Sequence, residues 1–172
     1  MGNTRKSVIT ALLVSLGLVL HFIENMIPLS FIIPGARLGL ANAANLIGLV
    51  LLGFKGGFLI LILRIVLGSL LTGTFMSINF YLSISGGLPG FFVMAFAFYL
   101  AGKRFSLLGI SVIGACFHNL GQITASYFII HNPGIFYYLP YLILLSIPTG
   151  IAVGLISFYS LKHIPDRAVR GE

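Results

Sequence analysis

Residues 34–75 read PGARLGLANAANLIGLVLLGFKGGFLILILRIVLGSLLTGTF, two apolar runs joined by the short stretch LLGFKGGF. The run at 57–75 approaches the roughly 20 residues that a helix needs to cross the hydrocarbon core of a membrane, whereas the run at 38–54 is shorter. Lys55 is the charge that separates them. We therefore predict two consecutive membrane spans here, the second and third of the chain.

Further apolar segments on both sides extend this pattern to six spans. We predict the other four at residues 7–27, 80–101 or 88–101, 107–130 and 138–161. The fourth span is interrupted by Gly86, Gly87, Pro89 and Gly90, and interrupted segments in membrane proteins tend to line a cavity. The predicted fold is all-α: one six-helix transmembrane domain over residues 1–172, with short tails at 1–6 and 162–172.

The composition supports a membrane protein and excludes two other classes. Hydrophobic residues make up 58% of the chain and charged residues 8%, whereas a soluble domain carries about 25% charged residues. The net charge of +7 does not indicate nucleic-acid binding, because the basic residues stand singly or in pairs without a basic stripe or a recognition motif.

The basic residues alternate between the gaps that separate the spans. Eight of the ten fall where one side of a membrane would hold them: Arg5, Lys6, Lys55, Lys103, Arg104, Lys162, Arg167 and Arg170. The alternate gaps hold only Arg37. Because Lys and Arg mark cytoplasmic loops, we predict that both termini are cytoplasmic.

Arg64 is the strongest candidate for a functional side chain, because it lies eight residues into the third span. A charge at the centre of a spanning helix costs about 2.5–3.5 kcal/mol on insertion scales, so it usually faces a cavity or a partner. His21 and Glu24 lie three apart on one face of the first span, and Glu24 is the only acid in the first 165 residues. Glu24 either forms a structural pair with Arg37 or Arg64 or contacts a ligand.

Carboxamides supply most of the other polar groups at membrane depth. Asn42 and Asn45 share a face of the second span; His118 and Gln122 share a face of the fifth, with Asn119 adjoining. Such amides suit a polar ligand in a dry pocket, and they also bond helices to one another. We predict an outward-facing binding site formed by Glu24, Arg37, Asn42, Asn45, Arg64, Asn79, His118, Asn119 and Gln122.

Aromatic residues near the same side form a predicted lid over this site. They are Phe80, Tyr81 and the run at 136–138. Ligand sites are mostly apolar with a few convergent polar groups. Arg64 beside asparagine amides favours an acidic or carbonyl-bearing solute, and an aromatic lid favours a flat ring. The alternative is that Arg64 only locks the bundle through Glu24.

Small residues recur at helical spacing, and Gly alone accounts for 21 of the 172 residues. Rows of small residues four apart let helices approach closely. Most of these rows indicate packing within the bundle. Ser7, Ala11 and Ser15 form a row at the cytoplasmic end of the first span, which indicates either the same packing or an external docking surface.

The sequence lacks the motifs of three common kinds of catalytic or cofactor site. It has no phosphate-binding loop of the G-x-x-x-x-G-K-[ST] type and no cysteine cluster or H-E-x-x-H pattern for a metal. Its acids are Glu24, Asp166 and Glu172, so no carboxylate pair is available for acid/base chemistry. We predict that the chain is not an enzyme and holds no cofactor.

The stretch at 34–75, together with SGGLPG at 85–90 and GACFHNLGQ at 114–122, resembles the Gx transporter family. That family carries the older label heptaprenyl diphosphate synthase component I and is similar to the S components of energy-coupling-factor (ECF) transporters. The resemblance extends from about Ile9 to Leu161. It implies a six-helix protein of the bacterial plasma membrane that binds a vitamin-like molecule from outside.

The same resemblance implies partners. S components dock through small residues of the first helix on a transmembrane T subunit, which carries two ABC-type ATPases that use ATP. The row Ser7, Ala11 and Ser15 is similar to that docking pattern, with Ser at two positions where Ala is usual. The resemblance names no solute, although quinone-, flavin- and isoprenoid-related molecules fit the associations of the family.

Three functions remain open at the level of sequence. The first is a solute-binding transporter subunit, and the second is a membrane component of a quinone- or flavin-linked extracellular electron-transfer system. The third is a noncatalytic accessory of heptaprenyl diphosphate synthesis. A catalytic role in that synthesis is excluded, because it needs aspartates that hold Mg²⁺ through oxygen ligands and Asp166 is the single Asp of the chain.

Overall fold

The structure, a computed structural model, describes residues 2–26, 39–101 and 105–164. Within those ranges it is helical and contains no strand. The helices are α1 Asn3–Met26, α2 Asn42–Leu71, α3 Ile78–Ala101, α4 Leu107–Ile130 and α5 Leu139–Lys162, with a 3-10 helix at Pro133–Tyr138 before α5. Five helical segments of the described chain are long and apolar enough to cross a membrane. Helices suit that environment because each satisfies its own backbone hydrogen bonds.

Three predicted spans agree with helices to within a few residues: 7–27 with α1, 107–130 with α4 and 138–161 with α5. Local signals fix the ends of α4. The Ser106 side chain accepts a hydrogen bond from the Gly109 N–H, and His131 adopts a left-handed conformation just beyond the last turn. These are common ways of satisfying backbone groups at helix termini.

The second and third predicted spans fall within the single helix α2, which is broken at Gly53. Gly53 has φ 72° and ψ −172°, a backbone conformation that is open almost only to glycine. The break divides α2 into a first arm, residues 42–52, and a second arm, residues 54–71. Within the described ranges there are thus five α-helices where six spans were predicted, because the second and third predicted spans are joined at Gly53 without a separate loop.

The two arms of α2 fold back against each other. Arg64 and Asn42 are 22 residues apart yet hydrogen-bonded at 3.4 Å, whereas a straight helix would separate them by about 33 Å. A Cβ added to Gly57 of the second arm would lie 3.0 Å from the Leu49 backbone nitrogen of the first. The arms are therefore packed backbone to backbone, and residues 42–49 of the first arm are all buried.

The predicted interruption of the fourth span is wrong, because α3 continues through Gly86, Gly87, Pro89 and Gly90. Gly86 and Gly90 instead allow α4 to lie against α3, whereas Gly87 faces α2. A Cβ on Gly90 would lie 3.0 Å from the Gly114 carbonyl oxygen, and one on Gly121 of α4 would overlap the Ser85 carbonyl oxygen. Close backbone approach is the usual reason for small residues at membrane helix interfaces.

The turn at Gly53 lies at the same end of the bundle as the N-terminus of α1. The Phe54 N–H donates to the Tyr99 hydroxyl at 3.0 Å, which places the turn beside the C-terminal end of α3. Lys6 and Lys55 line one groove between α1 and α2. Leu161, near the end of α5, packs in the same core cluster as Leu52 and residues of α1.

We call this part of the bundle the basic end. Of the described basic residues, Arg5, Lys6, Lys55 and Lys162 lie there, and Arg64 lies inside the bundle. Lys103, Arg104, Arg167 and Arg170 fall outside the described residues. The C-terminal ends of α1 and α2 and the N-terminal end of α3 form the opposite end.

Candidate functional site

A polar cavity of about 290 Å³ opens between α1, α2 and α3 toward the opposite end. Its walls come from the last turns of α1 and α2 and the first turns of α3, and they include the predicted site residues Arg64 and Asn79. The full lining is His21, Arg64, Ile65, Ser69, Thr72, Thr74, Asn79, Phe80 and Ser83. Seven of these nine side chains carry hydrogen-bonding groups.

Arg64 forms the inner wall of this cavity and is 7% exposed. Gly17 of α1 provides the space for it, because a Cβ there would lie 2.7 Å from Arg64 Cδ and 3.2 Å from Ala44 Cβ. The Arg64 guanidinium donates through Nη2 to Asn42 Oδ1 at 3.4 Å. Arg64 therefore links the cavity to the buried N-terminal turn of α2.

Asn42 is the centre of a cluster of buried polar side chains behind Arg64. Asn45 Nδ2 donates to Asn42 Oδ1 at 3.2 Å, and Asn42 Nδ2 lies 3.5 Å from His118 Nδ1 on α4. Asn45 is fully buried, and its Oδ1 has no hydrogen-bond partner within the described ranges. The structure thus brings Asn42, Asn45, Arg64 and His118 together, as predicted site residues from three predicted spans.

Glu24 contacts the start of α2 through the backbone. Its Oε1 accepts a hydrogen bond from the Gly39 N–H at 2.7 Å, and the carboxylate is buried. Gly39 has φ 69° and precedes the first turn of α2. A carboxylate at this place interacts favourably with the partial positive charge of a helix N-terminus. Arg37, the other predicted partner of Glu24, lies outside the described residues.

Gln122 and Asn119 of α4 face different neighbours. The Gln122 side chain packs beside Gly86 of α3 and is 1% exposed, and neither of its amide atoms has a hydrogen-bond partner in the described part of the chain. Asn119 Nδ2 donates to the Leu142 carbonyl at 3.0 Å and to Ser146 Oγ at 2.9 Å, both on α5. Asn119 therefore lies away from the Asn42 cluster, on the face that holds α5.

The aromatic residues of the predicted lid are divided among separate places. Phe80 lines the polar cavity, and its ring centroid lies 5.0 Å from that of Phe75. Tyr81 is half-exposed and lines a different, apolar groove on α3 and α4. Phe136 belongs to the 3-10 helix that follows α4, and its ring centroid lies 5.4 Å from that of Tyr127 on α4. Only Phe80 of these residues borders the cavity.

Sequence reasoning missed the four hydroxyl side chains of the cavity wall, which are Ser69, Thr72, Thr74 and Ser83. The hydroxyl groups of Thr72 and Thr74 form one hydrogen bond with each other at 2.8 Å, and the Ser69 hydroxyl donates to the Val66 carbonyl at 2.8 Å. Spacing could have identified Thr72, because Arg64, Gly68 and Thr72 recur four apart on one helical face. The role of Gly17 could not have been found in this way, since it depends on which helix packs against Arg64.

The predicted docking row lies in a second cavity, a groove of about 740 Å³ between α1 and the second arm of α2. Ser7, Ala11 and Ser15 are exposed on the α1 wall. Ser7 donates to the Asn3 carbonyl at 3.1 Å and Ser15 to the Ala11 carbonyl at 2.9 Å. These hydroxyls are satisfied within their own helix, so they present little more than a small, nearly apolar surface.

Within residues 2–26, 39–101 and 105–164, no three His, Cys, Asp or Glu side chains are placed to hold a metal ion. Comparison with curated proteins and with solved structures found no match. A protein-family model, however, matches residues 13–160, from the first half of α1 almost to the end of α5. The chain therefore belongs to the family described as heptaprenyl diphosphate synthase component I.

Proposed function

We propose that this chain is the substrate-binding subunit, or S component, of an ECF-type importer in the bacterial plasma membrane. In this proposal the whole chain is one domain that crosses the membrane six times, and the first arm of α2 forms the cytoplasmic half of the second crossing. Both termini and the turn at Gly53 are cytoplasmic. The polar cavity faces outward and binds the solute.

The observation that carries the proposal is the polar cavity bordered by Arg64. Asn42 and Arg64 each lie eleven residues from Gly53, which puts both about 16 Å from the turn. That depth is close to the middle of a hydrocarbon core about 30 Å thick. An arginine at this depth usually faces a water-filled cavity, a partner or a ligand pathway.

The broken helix α2 supports the same location for the site. Its first arm begins near mid-depth, where backbone N–H groups at a helix start favour negative charge. Many transporters bind anionic groups with the N-terminus of such a half-helix near the bilayer midplane. Here Glu24 contacts the backbone just before that start, and Arg64 adds a positive charge beside it.

The lining of the cavity favours a small, polar solute with an acidic or carbonyl group. Arg64 can donate to such a group, and Asn79, Thr72 and Ser69 offer further hydrogen bonds. Phe80 offers an aromatic face for a flat ring. At about 290 Å³ the cavity is at the lower end of the range of small-molecule sites. A vitamin-like molecule or the ring of a quinone, flavin or isoprenoid-related compound fits this description.

The groove on α1 supports docking to a transmembrane T subunit that carries two ATPases. Close helix approach needs small side chains, and Ser7, Ala11 and Ser15 present them along the groove. Since the two serine hydroxyls bond within α1, covering them removes little hydration. The basic residues at this end support its cytoplasmic location, where ATPases would reach the T subunit.

The test compares the chain with its Arg64→Gln variant after expression in bacteria and purification. Small molecules released by denaturing each protein are identified by mass spectrometry, and thermal unfolding is followed in parallel. We expect wild-type protein to release one enriched solute and the variant to release at least tenfold less, as losing a hydrogen bond to a charged group implies. Lost stability with an unchanged solute yield would show that Arg64 is structural and would contradict the site.

A second candidate function is favoured by the family description, which names a component of heptaprenyl diphosphate synthase. In that role the chain would be a noncatalytic membrane accessory. Among the described residues Glu24 is the single carboxylate, so the Mg²⁺-binding carboxylates of such chemistry would have to come from a partner. Copurification with a prenyl synthase, in place of a T subunit and ATPases, would favour this second function.

A further inference from the structure

The groove between α1 and the second arm of α2 contains two lysines and several leucines in addition to the docking row of Ser7, Ala11 and Ser15. Lys6 on α1 and Lys55 on α2 both lie at one end of it, and Leu59 and Leu63 continue its wall away from them. Both lysines are exposed. The groove is therefore mostly apolar along its length and cationic at one end.

The dimensions of the groove match one leaflet of a bilayer. Its lining runs on α1 from Lys6 to Leu18 and on α2 from Lys55 to Leu67. Each distance is twelve residues, or about 18 Å of helix, and half of a hydrocarbon core is about 15 Å. The two lysines thus lie at headgroup depth when the apolar part of the groove lies in the hydrocarbon.

No carboxylate in the described ranges is close to these two lysines. Glu24 is the acid of that part of the chain, and it lies eighteen residues from Lys6, toward the other end of α1. A positive pair at the mouth of such a groove attracts an anionic group. Basic pockets between membrane helices are known to bind anionic lipid headgroups.

We propose that this groove binds one anionic phospholipid, with its phosphate between Lys6 and Lys55 and an acyl chain along Leu59 and Leu63. The groove is the docking surface of the proposed function, so a T subunit would have to displace this lipid. Lipid binding itself requires no partner. Lipid binding and docking of a T subunit can therefore be tested separately, and a negative result for one does not decide the other.

The experiment is native mass spectrometry of the purified chain titrated with phosphatidylglycerol, and with phosphatidylcholine of the same acyl chains as the neutral comparison. The double variant Lys6→Gln/Lys55→Gln removes the proposed phosphate contacts. Lys162→Gln is the matched control, because Lys162 is exposed at the same end but does not line the groove. Ala11→Phe fills the groove and keeps both charges.

We expect wild-type protein to prefer phosphatidylglycerol and the double variant to bind it about thirtyfold more weakly, at about fivefold per lysine. Lys162→Gln should bind like wild type, and Ala11→Phe should lose the bound lipid while its melting temperature stays near that of wild type. Equal weakening by Lys162→Gln and the double variant would overturn the proposal, as would equal binding of both lipids. Unchanged lipid binding in Ala11→Phe would also overturn it.

Discussion

Gly17→Ala is the most direct test of how the bundle positions Arg64. The new Cβ would lie 2.7 Å from Arg64 Cδ and 3.3 Å from Arg64 Cγ, whereas carbon atoms in contact prefer about 3.5–4.0 Å. Arg64 Cδ must then move by about 0.8 Å to regain the lower limit of that range. The Arg64–Asn42 hydrogen bond, already 3.4 Å long, should not survive this shift.

Two opposing effects decide the change in stability. Overpacking costs about 1–3 kcal/mol, and replacing Gly by Ala inside a helix contributes about 1 kcal/mol of stabilisation. The net loss in the free energy of unfolding should be about 0–2 kcal/mol. Solute affinity should fall more, by about tenfold to a hundredfold, because the displaced Arg64 guanidinium would lose its hydrogen bond to the solute, and hydrogen bonds to charged groups contribute about 1.5–3 kcal/mol.

The assay measures binding of the solute that copurifies with wild-type protein, together with thermal unfolding in the same detergent. Gly109→Ala is the matched control, because its new Cβ would have ordinary contacts at 3.4 and 3.6 Å. A Gly17→Ala variant that gains stability and binds solute like wild type would refute the reasoning, since it would show that Gly17 does not set the position of Arg64.

Three further predictions concern the turn, the docking row and the orientation. Gly53→Ala should destabilise the bundle by about 1–3 kcal/mol, because residues other than glycine are strained at this φ and ψ. Thermal unfolding measures the loss, with Gly109→Ala as the control, and an unchanged melting temperature would contradict the turn conformation assigned to Gly53. Ala11→Leu should abolish copurification of a T subunit while solute binding stays intact, and survival of copurification and transport would remove the docking role. For the orientation, single cysteines are introduced at Asn132 or Lys55 in a chain without its native cysteine. The cysteine at position 132 should react with a membrane-impermeant thiol reagent outside intact cells, and the cysteine at position 55 should not. The reverse pattern would contradict the proposed orientation.

The sequence predicted those helices whose ends coincide with a change from apolar to charged or turn-forming residues. The fifth span, predicted at 107–130, agrees with α4 because Ser106 and His131 mark its ends. The interruption predicted in the fourth span was wrong because Gly and Pro have local preferences that a neighbouring helix can override. Gly90 of α3 lies against Gly114 of α4, and that partner cannot be read from the spacing within one segment.

The contacts among the predicted site residues could not be derived from the sequence. Arg64, Asn42 and His118 were proposed from three separate spans, and their contact depends on the reversal of α2 at Gly53. Asn119 was placed with His118 by sequence adjacency, yet adjacent helical residues point about 100° apart, and its amide bonds to α5. Periodicity gives the face of each helix but not which helix lies opposite that face.

The reversal of α2 has a consequence for how the chain enters the membrane during synthesis. The first arm is eleven residues long, carries Asn42 and Asn45, and is enclosed by protein in the finished bundle. It is too short and too polar to partition alone into lipid. The second arm supplies both the apolar length and the partner surface for the first. Residues 42–71 should therefore leave the translocon together as a helical hairpin, and a defect in the second arm should appear as failed insertion of the first.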